Sequence, residues 1–133
     1  MALLVGAFLA LAVGLLSTSL GLDRDRAFYP TVAIVIASYY ALFAVMEAST
    51  HALVLESLVG AVFVAVAVLG FRSSLWVVVA ALMAHGISDL VHGRVISNPG
   101  VPGWWPHFCL TFDVSAAGYL AWLLKCGRIR AAT

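Results

Sequence analysis

The stretch ALVLESLVGAVFVAVAVLGF (Ala52–Phe71) is apolar apart from Glu56 and Ser57 near its start, and Arg72-Ser73-Ser74 closes it. A membrane crossing by a helix takes about 20 such residues, so this stretch reads as a span, and runs of the same kind lie on either side of it. Toward the N-terminus, Ala2–Leu22 ends in the charged turn Asp23-Arg24-Asp25-Arg26, which cannot sit in hydrocarbon. A second run starts near Phe28 and continues to about Thr50, with Pro30 in its opening turn, where a missing N–H is tolerated. Toward the C-terminus, a fourth run covers Leu75 to about Val91. It leads into Ser97-Asn98-Pro99-Gly100-Val101-Pro102-Gly103, whose turn chemistry marks the one extended loop. Trp104-Trp105-Pro106 suits headgroup depth and the opening of a last helix from about His107 to Leu124. The expected fold is all-α: an integral membrane bundle of five transmembrane helices forming one domain over residues 1–133.

Composition excludes most alternatives. Of 133 residues, 64% are hydrophobic and 10% charged, and the mean hydropathy is +1.09, well above the range of soluble domains. A net charge of +1 leaves no basic tract for nucleic acid, so the Lys and Arg residues read as topology signals. The expected partners are membrane lipid and a hydrophobic or amphipathic small molecule, with a homo-oligomer open. Cys109 and Cys126 fall on the last helix about 25 Å apart at 1.5 Å rise per residue, too far to bridge, and read as packing residues. Met1–Leu22 lacks a basic leader segment and reads as a retained first span rather than a signal peptide.

With five spans, the Asp23–Arg26 turn, the Arg72 turn and the C-terminal tail share one side, and the only basic residue on the other is Arg94. The excess of positive charge places that side in the cytoplasm, with the N-terminus out and the C-terminus in, in a cell membrane such as the bacterial inner membrane.

On this topology Glu47, His51, Glu56, His85, Asp89, His92, His107 and Asp113 all lie toward the outer side. His85, Asp89 and His92 stand at i, i+4 and i+7, one above another on a single helix face. Glu47 and His51 repeat the i, i+4 spacing, and Asp113 lies about 9 Å deeper than His107, at the depth of His85 and Asp89. A charged group in the membrane costs about 2.5 to 3.5 kcal/mol on insertion scales, so acids gathered there point to a cavity that binds something. His and carboxylate donors suit a divalent metal, zinc first and iron second. The expected metal ligands are His85, Asp89, His92, His51 and His107, with Glu47 and Asp113 as catalytic acid or base on a metal-bound water. Plainer readings stand beside these: Glu47 and His51 also suit a wet turn, His92 and His107 an interfacial position, and His85, Asp89 and Asp113 a hydrogen-bonded lock between helices.

The segment from Met83 to His92 (MAHGISDLVH), followed by Asn98 to Asp113 (NPGVPGWWPHFCLTFD), resembles an uncharacterised family of small bacterial multi-pass membrane proteins, a resemblance that implies no activity. The clustered intramembrane His and Asp residues also resemble the metal-dependent transmembrane hydrolases that include alkaline ceramidases. That likeness implies a ligand role for His85, Asp89 and His92 only. Those hydrolases have seven spans and a paired His-x3-His that is absent here. Together these readings lead to a metal-dependent membrane enzyme, a hydrolase of an amphipathic or lipid-like substrate. A metal-free acid–base isomerase or cyclase, or a non-enzymatic transporter or ligand-binding protein, would use the same residues.

Overall fold

A computed structural model describes residues 1–132, which are helical with no β-strand among them. The helices are α1 (Ala2–Leu20), α2 (Phe28–Met46), α3 (Thr50–Arg72), α4 (Leu75–Asp89), the short α5 (His92–Val95) and α6 (Trp105–Lys125). Four of them, α1, α2, α3 and α6, are long and apolar enough to cross a membrane, which makes this a membrane protein in its coarse architecture. α4, at 15 residues, extends about 22 Å at 1.5 Å per residue, less than the roughly 30 Å of a hydrocarbon core.

Local signals account for the helix limits. Gly21 ends α1 in a left-handed conformation with φ 74°, which costs glycine nothing. Ser49 and Ser74 cap α3 and α4 by accepting from the Ala52 and Trp76 amides at 3.3 and 3.4 Å. Pro106 sits in the first turn of α6, where no amide hydrogen bond is lost.

The helices run alternately up and down. Leu75 N donates to Ala131 O at 2.8 Å, and Arg26 donates from its two terminal nitrogens to Phe71 O at 3.0 Å and Arg130 O at 3.1 Å. These bonds gather the α1–α2 turn, the α3–α4 turn and the C-terminal tail at one end, the basic end. The α2–α3 turn and the Pro/Gly-rich loop belong to the opposite, loop end, where Asn98 Nδ2 donates to Tyr40 O at 3.0 Å.

Packing follows the same alternation. α6 lies between α1 and α4, α3 lies between α2 and α4, and α2 also touches α4. The interior is built from small and branched residues such as Ala33, Ala116, Ala117, Leu75, Val78, Leu82, Leu120 and Leu123. In lipid, helices associate through close packing and interhelical hydrogen bonds rather than through a hydrophobic effect, and two glycines supply the close approach. A Cβ on Gly6 of α1 would overlap the Phe108 carbonyl and the Thr111 hydroxyl of α6. One on Gly86 of α4 would stand 3.0 Å from Asp113 Cβ and 3.1 Å from Leu110 O, so Gly86 brings α6 against the polar part of α4.

The structure corrects one expectation of continuity. The fourth run does not stay helical through His92. Leu90 and Val91 donate to the carbonyls of Ile87 and Ser88, both at 3.1 Å and three residues back, and this tighter turn ends α4. His92 therefore starts a separate helix and does not extend the face that carries His85 and Asp89.

Gly6→Ala is expected to destabilise the bundle by about 1–3 kcal/mol, the usual cost of overpacking a tight interface. At Gly118 of α6, with nothing within 4 Å of an added Cβ, alanine is expected to be neutral or to stabilise by up to about 1 kcal/mol. Reversible unfolding in mixed detergent checks both.

Candidate functional site

α4 presents His85 and Asp89 one turn apart, and the close α4–α6 contact at Gly86 brings Asp113 to them. His85 Nδ1 donates to Asp113 Oδ2 at 2.7 Å and lies 3.9 Å from Asp89 Oδ2. Asp113 is fully buried, with Asp89 and His85 4% and 6% exposed. Tyr40 of α2 closes the group by donating its hydroxyl to Asp89 Oδ1 at 2.7 Å, and the Phe63 ring of α3 meets His85 edge-on at 4.8 Å. Four helices thus meet at one imidazole and two carboxylates.

Two oxygens here have no hydrogen-bond partner among the described residues, Asp89 Oδ2 and Asp113 Oδ1. A buried acceptor without a partner is costly, and more so when it carries charge. One ligand atom from each of His85, Asp89 and Asp113 can be chosen so that all three lie within 4.8 Å of one another, and the group can hold a metal ion. Tetrahedral ligands at 2.0–2.1 Å from a metal stand about 3.3 Å apart. The 2.7 Å and 3.9 Å separations from His85 Nδ1 bracket that value.

A second polar group lies beside the first, toward the loop end. Glu56 of α3, 2% exposed, accepts at Oε1 from His92 Nε2 and from Asn98 Nδ2, each at 2.9 Å. The His92 ring stacks on Tyr40 with centroids 3.9 Å apart. Tyr40 therefore touches both groups, with its hydroxyl on Asp89 and its ring on His92. A cavity of about 20 Å³ between α2, α3 and α4 is lined by Glu56, His92, His85 and Asp89, room for about one water molecule or ion.

The remaining predicted residues lie apart. Glu47 is exposed at the end of α2, close to Gly100 in the loop. His51 and His107 are exposed in the first turns of α3 and α6. None of the three makes a side-chain hydrogen bond or ion pair among the described residues. His92 joins Glu56 rather than the His85 group.

Two participants gave little or no signal in the sequence. Tyr40 reads as one more aromatic in an apolar run and Asn98 as a turn residue, since their roles arise from contacts 49 and 42 positions away in the chain. Glu56 is visible as the only acid inside its run, but its partners are not. A separate apolar cleft of about 470 Å³ runs between α1 and α2 over α6. Its lining includes Tyr39, Trp105, Phe108 and the buried Cys109, one turn before Asp113.

Comparisons with protein-family models, with curated proteins and with solved structures found no match.

Replacing Tyr40 by Phe removes the only side-chain hydrogen bond to Asp89 among the described residues while keeping the ring on His92. The variant is expected to lose about 1–3 kcal/mol of unfolding free energy. Tyr39→Phe, at a hydroxyl with no hydrogen bond among the described residues, is expected to stay within about 0.5 kcal/mol of wild type. The same detergent unfolding assay reads both.

Proposed function

We propose that this chain is a five-span membrane enzyme, a metal-dependent hydrolase of an amphipathic, lipid-like substrate, with its N-terminus out and its C-terminus in. α4 is counted as a span because it starts beside Ala131 at the basic end and leads into His92 and the Pro/Gly-rich loop at the opposite end. The basic end then faces the cytoplasm by the positive-inside rule, in the bacterial inner membrane.

The observation that carries the chemistry is the pair of unpartnered carboxylate oxygens, Asp89 Oδ2 and Asp113 Oδ1, beside a buried imidazole. Two carboxylates and a histidine in a medium of low dielectric call for a cation. One nitrogen and two oxygens suit zinc first and iron second, and three protein ligands leave a fourth position for water. A metal lowers the pKa of such a water to about 7 in the best zinc sites.

A bound metal would supply a water acidic enough to ionise near neutral pH, and the free oxygen of Asp113 would take that proton. The same oxygen would return the proton to the leaving group as the bond from the carbonyl carbon to that group breaks and the hydroxyl stays on the carbon. The cleft over Cys109 suits the hydrocarbon part of such a substrate, being apolar and within the roughly 300–1,000 Å³ of small-molecule sites.

A second reading rests on the 2.7 Å bond between His85 and Asp113, which already forms an acid–base pair. Without a metal, the same groups would pass a proton to and from a hydrophobic substrate in an isomerisation or cyclisation.

Metal content separates the two readings. Tag-free wild-type protein is expected to hold about one zinc or iron per chain by mass spectrometry, and His85→Ala and Asp89→Asn to lose most of it while keeping their helical circular dichroism. A wild type free of metal after incubation with zinc and with iron(II) would sink the metal reading in favour of acid–base chemistry.

A further inference from the structure

Glu56 and His92 do not belong to the metal-capable group, yet they line the same 20 Å³ cavity as His85 and Asp89. His92 also lines a second cavity, of about 280 Å³, formed by the Pro/Gly-rich loop with Ser97, Asn98, Val101 and Pro102. His92 thus lines both the chamber at the loop end and the cavity beside the buried cluster, and its imidazole is where a partition between them would stand.

Its placement is specified from three sides. The ring stacks on Tyr40 at 3.9 Å, Nε2 is held by Glu56 at 2.9 Å, and Glu56 is held in turn by Asn98 at 2.9 Å. Asn98 is fixed by its bond to Tyr40 O at 3.0 Å and by accepting from Gly100 N at 3.3 Å. At Gly100 a Cβ would overlap the Phe43 carbonyl, so only glycine lets the loop sit this close to α2. Past the partition, Asp89 lines the cavity with its side chain 1% exposed and its Oδ2 unpartnered.

A divalent cation approaching from the loop chamber therefore meets a histidine nitrogen, then a buried carboxylate, then a second carboxylate with a free oxygen. We propose that Glu56 and His92 form an outer cation site through which a divalent metal ion reaches His85, Asp89 and Asp113. The ion displaces the Glu56–His92 hydrogen bond, with His92 offering Nε2 in the tautomer that carries its proton on Nδ1. It then passes to Asp89, and the partition closes behind it. This inference rests on the metal site proposed above and adds the route into it, from the face that carries the loop.

Loading kinetics test it, with zinc added to metal-free protein in detergent and bound metal counted after rapid desalting. Glu56→Gln keeps an oxygen for His92 and Asn98 but removes the charge. It is expected to slow loading at least tenfold and to reach the same final occupancy as wild type. Ser97→Cys, placed in the chamber in a Cys126→Ser background and blocked with a bulky maleimide, is expected to slow loading similarly, whereas the unblocked variant loads normally. If wild type loads and both the Gln variant and the blocked variant load at the wild-type rate, the route lies elsewhere and only this inference fails. If wild type never takes up metal, the metal-enzyme reading itself fails.

Discussion

The hydrogen bond between His85 and Asp113 is the constraint on which the arrangement of this bundle depends. It ties α4 to α6 where the surroundings are helix and hydrocarbon, and a broken bond there has little water to replace it. α4 is the shortest of the five main helices, and through this bond, through Asp89 to Tyr40 and through packing on α3 it contacts the rest of the polar interior. The absence of side chains at Gly86 and Gly6 serves the same end, since α6 must approach both α4 and α1 closely. An all-apolar interior would have been easier to insert into a membrane. Glu56, Asp89 and Asp113, three buried acids within one small region, carry a desolvation cost that hydrogen bonds or a bound cation must offset.

The four long apolar helices α1, α2, α3 and α6 were legible in the sequence because hydrocarbon imposes a length and a composition that few other environments require. The turns were equally legible from their charges, prolines and glycines, and the basic end is the meeting place of the three segments richest in arginine. The end of α4 was legible to within about two residues, at Val91 against Asp89, but its consequence for His92 was not. A single turn of three-residue hydrogen bonds at Leu90 and Val91 swings His92 away from Asp89, and the residues there carry no strong helix-breaking signal before Gly93.

The same contrast holds for the site. His85 and Asp89 come together through a four-residue spacing, and Asp113 through its depth on a helix, both of which are countable from the sequence. Tyr40 and Asn98 reach the cluster through tertiary contacts that no local pattern encodes. Glu47, His51 and His107 show the limit of depth as a guide, because the right height in the membrane says nothing of which side of a helix faces the interior. Proximity of His92 to Glu56 depends on the helix break and on the seat of Asn98 against α2, neither of which spacing alone reveals.

X-ray absorption at the metal edge of the purified wild-type protein tests the central claim most directly, because it reports the ligand set itself. With zinc bound, the first shell is expected to contain one imidazole and two carboxylates plus one further oxygen, all at about 2.0–2.2 Å. A shell with sulfur at about 2.3 Å, with several imidazoles, or with the same spectrum in Asp89→Asn would contradict a site built from His85, Asp89 and Asp113.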